Sequence, residues 1–162
     1  MFARFAALAG ALSILAACSS TPEAPPAPVG GPGMGGMSGA PSYGPGSQQD
    51  LAATAGDRIF FAFDSSDVSS EAQQTLRRQA QWLQRYPNVS VTIEGHCDER
   101  GTREYNLALG ERRAQAAKNV LVALGVPASR LSTISYGKER PAVPGSSEDA
   151  YAQNRRAVTT VN

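Results

Sequence analysis

Residues 95–114 read GHCDERGTREYNLALGERRA and join a predicted strand to a predicted helix. The residues before this stretch, VSVTIE at 89–94, alternate apolar and polar side chains with the period of two that is typical of a strand. A helix is predicted to begin near residues 102–104, because the apolar side chains that follow recur at helical spacing: Leu109, Ala116, Val120 and Leu124. Gly125 and Pro127 are typical of a helix end. The stretch is therefore a strand–loop–helix junction.

The segments on either side of this junction predict further strands and helices. In chain order they are a strand at 58–63, a helix from Ser69 to Tyr86 that Pro87 ends, a strand at 131–136, a short helical turn at 148–153 and a last strand at 157–161. Strands separated by crossing helices predict an α/β (α+β) sandwich, in which helices pack on one face of a single sheet.

The first residues, MFARFAALAGALSILAACSS, have the features of an export signal. Arg4 precedes an apolar run that is too short to span a bilayer and that ends in small residues. Leu15-Ala16-Ala17-Cys18 resembles a bacterial lipobox, which implies removal of residues 1–17 and lipidation of Cys18. By the same resemblance, Ser19 favours the outer membrane, where several acyl chains would anchor the protein stably. The alternative is an ordinary secretory signal followed by an incidental cysteine.

Residues 18–50 are predicted to be a disordered tether, and residues 51–162 a folded domain. Seven prolines and eight glycines occur between residues 19 and 50, together with few large apolar side chains. Such a composition cannot bury enough apolar surface to offset the entropy of ordering the chain. The tether would let the domain move clear of the membrane that holds it.

Charge and cysteine content exclude several classes of protein. Removal of residues 1–17 takes away Arg4 and leaves 14 Lys and Arg residues against 14 Asp and Glu residues. This balance argues against nucleic acid as a partner, since nucleic-acid binders need a strong positive field. With Cys18 lipidated, Cys97 is the only free thiol, so neither an internal disulfide nor a resolving partner for a redox cysteine is expected.

Metal binding and catalysis are also disfavoured within the central stretch. His96, Cys97, Asp98 and Glu99 are all ligand types, but consecutive residues leaving a strand point to opposite faces and cannot converge on one ion. No second ligand pair is present elsewhere. His96 and Asp98 could be drawn as an acid–base pair, yet no motif places a nucleophile beside them. We expect no metal, no cofactor and no enzymatic activity.

The remaining feature of this stretch is a pair of opposite charges, an aspartate and arginines, at a fixed spacing in the chain. Asp98 follows the strand, whereas Arg112 and Arg113 lie two to three turns into the helix that leaves the same loop. Side chains on a helix lean toward its N-terminus, so a guanidinium could approach the mouth of the loop. This pattern is compatible with a binding site for a ligand of mixed charge. It is equally compatible with an internal salt bridge between aspartate and arginine.

The same residues resemble those of the OmpA-like peptidoglycan-binding domain family. The resemblance rests on Gly95-His96-x-Asp98 followed by Asn106-x-x-Leu109-Gly110-x-x-Arg113-Ala114, on Phe63-Asp64-Ser65-Ser66-Asp67 before them, and on Asn154-Arg155-Arg156 after them. It covers residues from about 58 to 162. It implies a β-α-β-α-β-β domain with one mixed sheet, which binds the meso-diaminopimelate residue of the peptidoglycan stem peptide without cleaving it.

The resemblance also implies roles for individual residues. Asp98 would accept hydrogen bonds from the ligand's ammonium group, and Arg113 would hold a ligand carboxylate. Other positions that match the family's pocket are Phe63, Asp64, Thr102, Asn106 and Leu109. Arg155 matches a supporting position nearer the floor, while Arg112 faces solvent and Cys97 has no assigned role.

The partners that the resemblance implies belong to the bacterial envelope. They are peptidoglycan, the outer membrane through the lipid anchor, and TolB with the other Tol proteins of the envelope-constriction system in cell division. The domain would face the periplasm. Two alternatives remain open: another OmpA-like anchoring lipoprotein outside the Tol system, and a periplasmic hydrolase that uses His96 and Asp98.

Overall fold

A computed structural model describes residues 43–162 of the chain. The predicted signal peptide, Cys18 and most of the predicted tether lie outside the described residues. Within 43–162, no helix combines the length and the apolar character needed to cross a membrane.

The described region contains four helices, one short 3₁₀ turn and a four-stranded sheet. In chain order the elements are α1 (Gln48–Thr54), β1 (Arg58–Phe60), α2 (Ser70–Arg85), β2 (Val91–His96), α3 (Arg103–Ala123), the 3₁₀ turn Ala128–Arg130, β3 (Leu131–Gly137), α4 (Glu148–Asn154) and β4 (Arg156–Val161). The strand order is β1-β4-β2-β3. β2 is parallel to β3, whereas β4 is antiparallel to both β1 and β2. The predicted mixed sheet and helical layer are confirmed.

The core lies between the sheet and helices α1 to α3. The stripe predicted on α2 is buried, with Leu76 and Leu83 at 1% and 0% exposure. These side chains meet Ile93 of β2 and Leu121 of α3 in one apolar cluster. Burial of each such side chain is worth about 1.5–3 kcal/mol. Packing of this kind fixes both ends of the junction that the central stretch forms.

Two glycines bring α3 directly onto the sheet. A Cβ at Gly95 of β2 would lie 1.8 Å from the carbonyl oxygen of Gly110, and a Cβ at Gly110 would lie 2.3 Å from Ser135 Oγ of β3. No side chain fits at either contact, so only glycine permits this approach of helix and strand. As a result Arg113, one turn beyond Gly110, lies beneath the loop that follows β2.

The folded region begins earlier than the predicted boundary at Leu51. Helix α1 starts at Gln48, and the Ser47 side chain caps it by accepting a hydrogen bond from the Asp50 amide. Asp50 also accepts a hydrogen bond of 3.0 Å from Trp82 Nε1 on α2. Residues 48–50 therefore belong to the fold and not to the tether. Strand β1 is shorter than the predicted strand at 58–63, because it ends at Phe60 and residues 61–63 lie in a loop.

Candidate functional site

The loop after β2 borders a cavity of about 160 Å³. The other walls are the first three turns of α3 and the loop that follows β1. Its lining residues are Phe63, Asp64, Cys97, Asp98, Arg100, Gly101, Tyr105, Asn106, Leu109 and Arg113. Six of the seven residues predicted to bind peptidoglycan are among them, so the structure brings together positions that are up to 50 residues apart in sequence.

Asp98 is the buried acid of this cavity. Its side chain is 6% exposed, and its Oδ2 lies 2.7 Å from Arg100 Nη2 and 3.3 Å from Arg155 Nη1. Its Oδ1 accepts a hydrogen bond from the Arg100 amide. Burial acts to raise the pKa of Asp98, but the hydrogen bonds from Arg100 and Arg155 outweigh it, and the pKa lies below its usual value. Asp98 is therefore a carboxylate at neutral pH.

Arg113 is the buried cation of the cavity, and its side chain is 0% exposed. It donates to three backbone carbonyls: Nε to Ser65, Nη1 to His96 and Nη2 to Ala62, at 2.8, 2.9 and 3.1 Å. Burial lowers the pKa of this guanidinium, which nevertheless stays protonated. These bonds use three of the five N–H groups. Arg113 thus ties the loop after β1 to the end of β2 while it faces the cavity.

Asp98 and Arg113 do not form the direct salt bridge that the sequence allowed. The ion pairs that Asp98 makes within residues 43–162 are with Arg100 and Arg155. Arg155 is 7% exposed and also donates to the carbonyl oxygen of Phe61 at 3.2 Å. It does not line the cavity, and through Asp98 Oδ2 it contacts a residue that does. Its supporting role stays a prediction.

Arg100 and Tyr105 also line the cavity, although neither was predicted from the sequence as a site residue. The guanidinium of Arg100 lies 4.1 Å from the centre of the Phe63 ring and 2.7 Å from Asp98. The Tyr105 hydroxyl donates a hydrogen bond to the Asp64 carboxylate. The sequence places Arg100 two residues after Asp98, in the same loop. A charged residue in a loop is usually solvated, so this position alone did not indicate a contact with the cavity.

Thr102 is the predicted site residue that does not line the cavity. Its hydroxyl caps α3 by accepting a hydrogen bond of 3.2 Å from the Tyr105 amide. Asn106 does line the cavity, and its side-chain amide donates to the carbonyl oxygens of Arg100 and Thr102 at 2.8 and 3.1 Å. Thr102 and Asn106 therefore determine the shape of the loop. Of the two, only Asn106 faces the cavity.

The remaining predicted residues form the apolar and the acidic parts of the wall. Leu109 is buried, whereas Phe63 is 60% exposed at the mouth. Asp64 has a φ of 50°, in the left-handed region that residues with a side chain seldom adopt. Backbone strain of this kind is common at functional sites. Asp64 is the second carboxylate of the cavity.

His96 and Cys97, the two conspicuous residues of the stretch, are both buried. Cys97 Sγ lies 3.3 Å from the carbonyl oxygen of Asn106, and burial raises the pKa of the thiol. His96 faces away from the cavity, toward Glu94 and the Tyr136 ring. Across residues 43–162 no group of three or more His, Cys, Asp or Glu side chains could hold a metal ion.

His96 should make the fold sensitive to acid. Burial, together with the positive charges of Arg156, Arg140 and Arg58, lowers the pKa of His96 from 6.5 to about 4. The unfolded chain therefore binds more protons between these values, and stability is lost as the pH falls from 6.5 toward 4. Between pH 7 and pH 4.5 we expect the free energy of unfolding to fall by on the order of 2–3 kcal/mol from this group.

Urea unfolding at the two pH values measures this loss, and His96→Gln should remove most of it. The carboxyls with a lowered pKa, such as Asp98, lose their contribution mainly below about pH 4.5 and affect the comparison little. An unchanged pH dependence in the variant would show that another group is responsible.

Comparison with known proteins agrees with this architecture and identifies its class. The sequence profile of the OmpA family matches residues 60–155 of this chain. The chain belongs to the OmpA family.

Two similar sequences and one similar crystal structure are all described as peptidoglycan-associated lipoproteins. A peptidoglycan-associated lipoprotein of Agrobacterium fabrum is 61% identical over 123 residues, which cover 76% of this chain and 70% of that protein. One of Haemophilus influenzae is 42% identical over 157 residues, which cover 97% of this chain and 96% of that protein. The crystal structure of the peptidoglycan-associated lipoprotein from Burkholderia pseudomallei superposes with a TM-score of 0.64 at 42% identity, over 65% of this chain and 90% of that one.

Proposed function

We propose that this chain is a lipid-anchored envelope protein that binds peptidoglycan non-covalently, through the meso-diaminopimelate residue of the stem peptide. The observation that carries the proposal is the cavity, in which the buried carboxylate of Asp98 lies among the arginines Arg100 and Arg113. The similarity to lipoproteins described as peptidoglycan-associated supports the same ligand.

The chemistry of diaminopimelate suits a cavity with both charges. Its distal end carries an ammonium group and a carboxylate on one carbon, so that end is a zwitterion. Asp98 would accept hydrogen bonds from the ammonium group. Arg113 has two N–H groups left after its backbone contacts, and these would reach the carboxylate. Asp64 and Asn106 supply further acceptors, and Leu109 and Phe63 would cover the methylene chain.

This arrangement should discriminate between types of cell wall. Lysine lacks the distal carboxylate, so a lysine-type stem would leave the buried arginine without its ligand partner. An unmet hydrogen bond of this kind costs about 1–3 kcal/mol. Burial raises the pKa of Cys97, which makes its thiol a poor nucleophile, and His96 faces away from the cavity. The protein would therefore hold the wall without cutting it.

The rest of the chain fits a tether between membrane and wall. Cys18 would carry the lipid in the outer membrane, residues 18 to about 46 would span the gap, and the domain would face the periplasm. In this setting TolB and the other Tol proteins are the proposed protein partners. A static anchor outside the Tol system is the second possibility, which loss of co-purification with TolB would favour when wall binding is intact.

Co-sedimentation with purified sacculi tests the proposed function. The chain without residues 1–17, carrying Cys18→Ser to prevent lipidation, should pellet with diaminopimelate-type sacculi. It should bind lysine-type sacculi about 5- to 150-fold more weakly, which corresponds to about 1–3 kcal/mol. Equal binding to both wall types would contradict the proposed ligand. Release of soluble muropeptides during the incubation would instead indicate a hydrolase.

A further inference from the structure

Arg100 is held differently from the other two arginines around Asp98. Arg113 and Arg155 each donate to at least one backbone carbonyl, which fixes the guanidinium in place. Within the described residues Arg100 donates only to the carboxylate of Asp98, and its side chain is 36% exposed. Its Nε is buried and has no hydrogen-bond partner there. Of these three arginines, Arg100 is therefore the one that no backbone carbonyl of the described region holds, and its Nε is a donor without an acceptor there.

A second acid lies close to Arg100 on the neighbouring helix. Glu148, in the first turn of α4, has Oε2 3.5 Å from Arg100 Nη1 and Oε1 2.9 Å from Arg155 Nη1. The Arg100 guanidinium also lies 4.4 Å from the centre of the Tyr151 ring on the same helix. Aromatic rings hold a guanidinium by its face and leave its N–H groups free to change acceptors. Arg100 thus lies within reach of both acids, Asp98 and Glu148, while its guanidinium contacts the two rings.

Ligand binding puts Arg100 in competition with the ligand. Asp98 already accepts three hydrogen bonds, two of them from Arg100. A carboxylate has about four acceptor positions, so an arriving ammonium group finds little free capacity. An ammonium group on Asp98 would also lie next to the Arg100 guanidinium, which is 2.7 Å from the same carboxylate, and the two positive charges would repel each other. Arg100 must give up its side-chain contact with Asp98 for the ammonium group to bind well.

We propose that Glu148 is a positioning residue that receives Arg100 when the ligand's ammonium group takes its place on Asp98. Held by Glu148 and the two rings, Arg100 stays at the cavity and turns its free donors to the ligand carboxylate. Without Glu148 it would move into solvent, and the carboxylate would lose one of its two cationic partners. The inference rests on the proposed function, since it concerns the same site and the same zwitterionic ligand.

Titration calorimetry with the tripeptide L-Ala-γ-D-Glu-meso-diaminopimelate tests the inference on the chain without residues 1–17 that carries Cys18→Ser. Glu148→Gln should weaken binding about three- to fivefold, the effect of a partly exposed ion pair. Asp149→Asn is the matched control. It makes the same change of charge in the same first turn of α4, at an exposed position without an ion pair in the described region. It should bind within about twofold of wild type.

A double-mutant cycle with Arg100→Gln separates positioning from a general effect of charge or of Arg155. In the Arg100→Gln background, Glu148→Gln should cause no further loss, because the residue that it positions is gone. A full three- to fivefold loss in that background would overturn the inference, as would wild-type affinity of Glu148→Gln alone. If the wild-type chain fails to bind the tripeptide, the proposed function itself is wrong.

Discussion

Arg113→Lys is expected to lower the free energy of unfolding by about 3 kcal/mol, as for other buried charges that lose their partners. The guanidinium reaches three carbonyls in three directions, those of Ser65, His96 and Ala62. A lysine ammonium group is a single point on a flexible stem and cannot reach all three. At least one carbonyl would then lack its donor, and a charge would remain buried.

Urea unfolding followed by circular dichroism measures this loss, and the neighbouring residue provides the control. Arg112 is exposed on the same turn of α3, so Arg112→Lys should change stability by less than about 0.5 kcal/mol. Equal stability of the two variants would mean that the carbonyl contacts of Arg113 contribute little. Tripeptide binding should also weaken in Arg113→Lys under conditions where the variant is folded, because the bidentate donor is lost.

Much of the fold follows from local patterns in the chain. Strand β2, the existence of helix α3 and its end at Ala123, just before Gly125, correspond to periodicities and stop signals that need no knowledge of long-range contacts. The stripe predicted on α3 is only partly right, because Leu109 is buried whereas Ala116, Val120 and Leu124 are half-buried. Helix α1 is different, because QQDLAAT is short and has a single large apolar residue. It is held by distant partners, namely Trp82 on α2 and the Thr159 carbonyl, which accepts a hydrogen bond from Gln48. Local propensity could not predict it.

The site residues also divide into those on one local stretch of the chain and those brought in by long-range contacts. Asp98, Asn106, Leu109 and Arg113 come from one continuous stretch, so the family resemblance could be followed there residue by residue, and all four line the cavity. The contacts that orient them could not be derived from local patterns, since the ion pair of Asp98 with Arg155 joins residues 57 positions apart in the chain. The three carbonyl partners of the Arg113 guanidinium could not be predicted either. They depend on the close approach of Gly95 and Gly110, and hence on how helix and sheet pack.

Asp98→Asn should reduce affinity for the meso-diaminopimelate tripeptide about 100-fold, the effect of removing one charge from a largely desolvated pair. Asparagine keeps the shape of the side chain but replaces one carboxylate oxygen by an NH₂ group, which repels the ligand's ammonium group. Arg155 would keep its contacts with Glu148 and the Phe61 carbonyl, so the variant should still fold. Because Asp98 is buried, a loss of stability of about 1–2 kcal/mol is nevertheless expected.

Calorimetry with the same tripeptide, at a temperature where unfolding curves show the variant to be folded, checks this prediction. Asp67→Asn is the matched control, because Asp67 is an exposed aspartate in the loop before α2 and does not line the cavity. It should bind like wild type. Wild-type affinity in Asp98→Asn would move the ammonium site to Asp64, the other carboxylate of the cavity. Asp64→Asn would then have to show the 100-fold loss, and Asp98 would act only as the anchor of Arg100 and Arg155.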